Sequence, residues 1–214
     1  MRALDIFCCA GGCTRGYQFA FGDVHFTGVD INPQPNYCGD EFIQADALTF
    51  PLEGYDFIHA SPPCQGYTTM NNRHGSASPL LIHIIRERLQ QSGVPYVIEN
   101  VSGAKRHLRN PIELTGEMFG LRVHRPRLFE SNVMLLAPAK PRRQRNPTAV
   151  YGRQDGRRLW TRADGSELHV ANLEDASEAM GIDWMSWNEI REAIPPAYTE
   201  YIGSQILSYI RAAA

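Results

Sequence analysis

The chain has 214 residues, 43% hydrophobic and 21% charged, which suits one globular domain with a real core and at most a small insertion. The net charge is −2, no apolar run is long enough to span a bilayer, and Met1-Arg2-Ala3-Leu4-Asp5 is no signal peptide, which argues against a membrane or secreted protein. Five cysteines, two of them adjacent at Cys8 and Cys9, make a poor disulfide framework and predict a soluble protein of the reducing cytoplasm.

In chain order, Ala3-Leu4-Asp5-Ile6-Phe7 predicts a strand, Cys8 to Gly16 a small-residue turn, and Tyr17 to Phe21 the continuing helix. This sequence of elements opens a nucleotide-binding βαβ unit, where small residues let backbone N–H groups approach a ligand. Such glycines also serve ordinary tight packing, so alone they decide little. Val24 to Asp30 and Phe42 to Asp46 are the next strands, each ending in an acid. An acid at the tip of the second strand commonly accepts hydrogen bonds from ribose hydroxyls, and strand C-termini line the ligand crevice of an open parallel sheet.

Tyr55 to His59 predicts a fourth strand that runs into Ser61-Pro62-Pro63-Cys64-Gln65-Gly66. Two prolines past a strand end make a stiff turn and commit the Cys64 side chain to one direction, as a nucleophile requires. A small buried thiol would fit the same spot. Ser78 to Gln91 places Leu81, Ile84, Ile85 and Leu89 at helical spacing, and Pro95 to Val101 is a fifth strand with Glu99 towards its end. That carboxylate is costly to bury unpaired, so it serves either a site or a loop cap. Pro111 to Leu121 predicts a short helix and Arg122 to Ser131 a strand. Asn132 to Asp183 reads as short strands and loops, Gly181 to Ala193 as helical, and Tyr198 to Ala213 as a closing amphipathic helix. Five strand–helix steps make this a doubly wound, mostly parallel, Rossmann-like α/β fold with a small irregular β-containing insertion.

Lys140 to Arg162 carries eight basic residues, among them Arg142, Arg143, Arg157 and Arg158, against one acid, Asp155. Such a stretch is either a polyanion-binding surface or a solvated hairpin. Cys8, Cys9 and Cys13 lack a fourth zinc ligand nearby, so no metal is expected.

Taken together and in this order, the motifs resemble those of the cytosine C5-methyltransferases that use S-adenosylmethionine. Phe7 through Gly16 resembles the first cofactor motif, Asp30 the second and Asp46 the third. Ser61 to Gly66 resembles the nucleophile motif, Glu99-Asn100-Val101 the glutamate motif and Arg125-Pro126-Arg127 the arginine motif. Ile194-Pro195-Pro196 with Tyr201-Ile202-Gly203-Ser204-Gln205 resembles the closing cofactor motif. The resemblance implies Cys64 as the nucleophile on cytosine C6, Glu99 on the N3 and N4 edge, and Arg127 on O2. It implies that Arg125 positions Cys64 or a phosphate, and that a nearby cation favours the thiolate. It places Phe7 against the adenine, Asp30 at the ribose hydroxyls and Asp46 at the adenine N6, with Ile31 and Ala47 also among the cofactor contacts. Ala10, Gly11, Gly12 and Pro62 would meet the rest of the cofactor, with Gly203 and Ser204 closing over it. Pro63, Gln65, Gly66, Asn100, Arg142, Arg143, Arg157 and Arg158 fall to the substrate.

Residues 1–131 then form the catalytic and cofactor-binding domain, 132–183 a reduced recognition lobe, and 184–214 a helical segment returning to the first. Cys9 stands where the family usually has glycine, and asparagine often follows the glycine at Gly203. The lobe is short for reading DNA sequence, which needs both base and phosphate contacts. Its basic stretch, with Tyr151 and Trp160, would make a minimal clamp on DNA around a flipped base, with short or lax specificity. Alternatively it caps a free deoxycytidine nucleotide, its arginines gripping the phosphate, and transfer RNA is a third candidate. Methyltransferases acting on exocyclic amines carry an aromatic residue after the prolines, where this chain has Cys64. A domain that merely binds nucleic acid would have no need of Cys64 and Glu99.

Overall fold

Short apolar runs punctuated by glycine and proline become the strands of one large sheet. The structure is a computed structural model that describes residues 1–67, 79–142, 147–152, 158–161, 165 and 167–213. Strands β1 (Arg2–Ile6), β2 (His25–Asp30), β3 (Glu41–Gln44), β4 (Phe57–Ala60) and β5 (Tyr96–Val101) pair in parallel. β6 (Ile112–Leu114) and β7 (Arg127–Ser131) complete the sheet, β7 antiparallel to both β5 and β6. The spatial order is β3-β2-β1-β4-β5-β7-β6, the mixed sheet of a Rossmann-like α/β fold. A two-stranded hairpin, β8 (Arg158–Thr161) with β9 (Glu167–His169), stands apart from it.

Helices α1 (Gly12–Phe21) and α2 (Ile82–Ser92) follow β1 and β4, whereas β2–β3 and β3–β4 are joined by turns. The expected five strand–helix steps are therefore two. Leu4, Ile6, Ile58 and Ile98 on one sheet face pack against Ile82, Ile85 and Leu89 of α2. Ala3, Phe57, Val97 and Phe129 on the other face meet Tyr17 and Phe21 of α1 and Tyr198, Ile202 and Ile206 of α5 (Pro196–Ala213). Each large side chain buried this way contributes about 1.5–3 kcal/mol. Among the described residues no helix is long and apolar enough to cross a membrane.

Two local readings change. Pro111 to Leu121 is strand β6 followed by a 3-10 turn at Gly116–Phe119, because Ile112–Leu114 finds a ladder on β7 before any helical turn can form. Helix α3 (Leu173–Met180) occupies part of the stretch read as strands and loops, while α4 (Trp187–Ile190) is all that remains of the helix expected over Gly181 to Ala193. The signals for α3 were present: Asn172 caps Asp175 N–H at 2.7 Å, Glu174 and Asp175 sit in the first turn, and Gly181 ends it at φ 68°. Val150, Ala171, Ala176, Met180 and Ile190 share a core with Ala10 and Val123, so the segment read as a separate lobe is rooted beside the first glycine turn.

A buried ion pair ties α2 to β7. Arg86 Nη2 donates to Glu130 Oε2 at 2.7 Å and to the His107 carbonyl at 2.6 Å, and Glu130 Oε2 also accepts the Arg109 N–H at 2.7 Å. The Glu130 side chain is 2% exposed, so its removal leaves an uncompensated buried guanidinium. Glu130→Ala should cost about 3 kcal/mol in urea unfolding, with a melting temperature lowered by roughly 6–12 °C. An unchanged melting temperature would show that Arg86 finds water or another partner.

Candidate active site

The sheet face that carries Ala3, Phe57 and Val97 turns polar towards the strand C-termini. Asp5 pairs in register with His59, and His59 with Val97, so Asp5, His59, Ser61 and Glu99 follow the apolar residues along that face. Beyond it opens a cleft of about 560 Å³ lined by Asp5, Phe7, Ala10, Gly12, Asp30, Ile31, Asp46, Ala47, Ser61 to Gln65, Glu99 and Arg127, with Arg191 to Ile194 as the opposite wall.

Cys64 is half-buried on the loop after β4. Asn100, 1% exposed, sets that loop: its Nδ2 donates to the Pro62 carbonyl at 2.8 Å. Asn100 therefore braces the nucleophile loop and does not line the cleft with the substrate candidates Pro63 and Gln65. Burial pushes the Cys64 thiol up, the Glu99 carboxylate pushes it the same way, and Arg127 opposes them. The cation acts in the expected sense but is outweighed, so the resting thiol holds its proton.

Glu99 is 5% exposed, and Arg127 Nε lies 3.1 Å from its Oε1. The antiparallel register opposes Arg127 to Val101, which sets Arg127 diagonally across from Glu99. The contact is one of charge: among the described residues Oε1 has no hydrogen-bond partner. Burial raises the Glu99 pKa first, while Arg127, the Ser61 hydroxyl and Arg125 pull it down. Such a carboxyl keeps a proton more readily than an exposed one and can hand it to a base in the cleft.

Arg125 takes another role than the expected one. At φ 30° its backbone is left-handed, and its partly buried guanidinium donates to the carbonyls of Ala193 and Arg191, both at 2.7 Å, and of Val150 at 3.3 Å. Burial and the neighbouring Arg127 lower its pKa to about 9. Arg125 is a clamp on the far wall of the cleft, and Arg127 is the arginine that faces Glu99.

On the cofactor side, Phe7 and Ile31 present apolar surface, Ile31 being 65% exposed. Asp30 Oδ2 accepts the Cys9 N–H at 3.2 Å and Oδ1 the Asn32 N–H at 2.9 Å, so the acid holds the glycine turn and the loop after β2 together. Exposed Asp46 lies two residues past β3, where Oδ1 accepts the Leu48 N–H at 2.9 Å. Gly11 (φ 84°) faces away from the cleft, its carbonyl accepting from Cys38 Sγ at 3.1 Å.

Gly203 and Ser204 do not close the cleft. A Cβ on Gly203 would lie 2.7 Å from Ala20 Cβ, so this glycine lets α5 approach α1, and exposed Ser204 bonds the Glu200 carbonyl at 3.0 Å. Arg191 to Ile194, just before α5, close it instead. Gly66 sits in a 3-10 turn behind Gln65, and Arg142 is exposed. Arg143 and Arg157 lie outside the described residues, as does the side chain of Arg158.

Cys9 adopts φ 45°, a left-handed conformation that disfavours a Cβ. Cys9→Gly should stabilise the fold by about 1 kcal/mol, a rise of roughly 2–4 °C in melting temperature. A lower melting temperature would mean that the thiol's packing outweighs the strain.

Asp5 escaped the sequence reading. It is 1% exposed in β1, takes the Thr14 hydroxyl on Oδ2 at 2.6 Å, and has no hydrogen-bond partner on Oδ1 among the described residues. Burial raises its pKa to about 7. An acid in the middle of Ala3-Leu4-Asp5-Ile6-Phe7 was the available signal.

A methyltransferase of Entamoeba histolytica, EhMeth, superimposes over 100% of this chain and 98% of its own, with a TM-score of 0.58 and 12% identity. The two chains share a fold. An RNA methyltransferase from Salinibacter ruber, solved in complex with S-adenosyl-L-homocysteine, aligns more loosely, at a TM-score of 0.38 and 12% identity over 65% of this chain and 86% of that one. No protein-family model matches the sequence, and no curated protein matches it.

Proposed function

We propose that this chain is an S-adenosylmethionine-dependent cytosine C5-methyltransferase that acts on DNA with short or lax sequence specificity. The observation that carries the reading is one cleft holding Cys64, Glu99 and Arg127 beside Phe7, Asp30 and Ile31. The fold shared with the Entamoeba enzyme supports methyl transfer in general. The basic stretch that includes exposed Arg142 favours a polyanionic substrate.

The cleft suits the cofactor. Among the described residues the Asp5 oxygen without a partner is an acceptor for an ammonium group, and Phe7 and Ile31 offer apolar surface to an adenine, while Gly12 lets the Ile194 backbone of the far wall pack against the turn. When bound, S-adenosylmethionine supplies an electrophilic methyl group. Cytosine C5 is too poor a nucleophile to take it unaided. Cys64 loses its thiol proton to water and the thiolate adds to C6 while Glu99 gives its proton to N3, so the ring electrons collect at C5, which can then accept the methyl. Arg127 contacts the base O2 and balances the charge that remains on Glu99. A base or water then removes the C5 proton, the electrons expel Cys64 as thiolate, and Glu99 regains its proton from N3.

Incubation with methyl-labelled cofactor and, separately, duplex DNA, single-stranded DNA and deoxycytidine nucleotides tests the substrate. Label at cytosine C5 of DNA is the expected result. Label confined to the mononucleotide would replace DNA as substrate, and label in none would overturn the reading.

A further inference from the structure

His59 has no exposed surface, and it lies on β4 along the sheet face that carries Glu99. A buried imidazole needs partners on both ring nitrogens. Nδ1 lies 3.0 Å from Tyr17 Oη, and Nε2 lies 3.0 Å from Ser61 Oγ. The chemistry above uses none of these three groups. Yet Ser61 lines the cleft, and the parallel register that pairs Ala60 with Ile98 sets it beside Glu99, whose carboxyl the Ser61 hydroxyl helps to hold charged.

Counting protons gives the chain a direction. Tyr17 is wholly buried on α1, and an O–H left there without an acceptor would be costly, so Tyr17 donates to Nδ1. Nδ1 then carries no proton, and Nε2–H donates to Ser61 Oγ. The second Ser61 lone pair faces the Cys13 thiol at 4.0 Å, which leaves the hydroxyl's own proton for Glu99. Burial lowers the His59 pKa to about 3, so the ring stays neutral near physiological pH and titration does not reverse the chain.

We propose that Tyr17 and His59 are positioning residues that hold the Ser61 hydroxyl as a donor to Glu99 when Glu99 gives its proton to the pyrimidine. The proposal rests on the cytosine reading of the cleft. One proton moves, from Glu99 to N3, and the chain stabilises the carboxylate that is left without passing a proton itself. The other titratable groups around Glu99 are Asp5 on β1, Cys9 on the first glycine turn, Cys13 on α1, Cys64 on its loop, Arg125 and Arg127 at β7, and Tyr198 on α5.

Nitrogen-15 NMR of the histidine-labelled full chain should find His59 in the Nε2–H tautomer across neutral pH. In Tyr17→Phe, which keeps the packed ring, both tautomers should appear. Ser61→Ala should lower kcat on a cytosine substrate about tenfold and Tyr17→Phe about threefold, with the KM for the methyl donor unchanged. Both should move the Glu99 limb of the pH profile upward. The double variant should be no slower than Ser61→Ala alone, because the two act through one chain. An Nδ1–H tautomer would overturn the proposal whether or not the chain methylates cytosine. Additive losses in the double variant, with the Cys64 adduct still forming, would overturn it and leave the cytosine reading standing. If the wild type methylates no cytosine, the Glu99 carboxyl titration followed by carbon-13 NMR decides: an upward shift in both single variants supports the chain, and no shift overturns it.

Discussion

Cys64→Ser should abolish methyl transfer, lowering kcat by about 10⁴-fold or more, and should form no covalent adduct with DNA containing 5-fluorocytosine. Serine keeps the size of the side chain but not the thiolate, and the Pro62-Pro63 turn and the Asn100 bond to the Pro62 carbonyl remain to hold the loop. Folding and cofactor binding should therefore survive, which separates loss of the nucleophile from loss of the site. Wild-type adduct formation should accelerate as pH rises, because burial and Glu99 keep the resting thiol protonated. Denaturing electrophoresis of the fluorocytosine adduct reads both effects. An adduct in Cys64→Ser would remove Cys64 from the nucleophile's place.

Glu99→Gln should lower kcat by about 10³-fold, since an amide has no proton to give to N3. The variant also carries an internal control. Glu99 is the second-largest cause of the raised Cys64 pKa, after burial, so its neutralisation should lower that pKa. Alkylation of Cys64 by iodoacetamide at alkaline pH, where the wild-type Glu99 is ionised, should then be faster in Glu99→Gln than in the wild type, even as methyl transfer collapses. Slower alkylation would contradict the electrostatic arrangement described here. For stability, the folded-state pKa of Glu99 is raised above its unfolded value. Its contribution is thus fully present below the unfolded pKa and is lost as pH rises through the folded one, so Glu99→Gln should gain relative stability towards alkaline pH.

How much of this was legible in the sequence depends on how local each cause is. The strands, the Cys64 loop and the acid in β5 could be read because apolar runs, a proline pair and a charge within a strand are contiguous signals. The cofactor contacts expected at Gly11, Gly203 and Ser204, none of which lines the cleft, show the limit. A glycine in a helix has the same letter whether it admits a ligand or a neighbouring helix, and only the crossing of α5 over α1 reveals that Gly203 serves packing. Arg125 likewise reads as a site arginine until its carbonyl partners, 66 to 68 residues away along the chain, come into view. The pairing of Tyr17 with His59 spans 42 residues and carries no local mark. Helix α3 is different: its cap, its acidic first turn and its terminal glycine are all contiguous.

The cleft's formal charges are lopsided, with Asp5, Asp30, Asp46, Glu99, Glu189 and Glu192 against Arg127 and Arg191. On the proposed chemistry the methyl donor arrives as a sulfonium cation and departs as an uncharged thioether. A predominantly anionic cavity would hold the first more strongly than the second, so the same walls that capture the donor would help to expel the spent product.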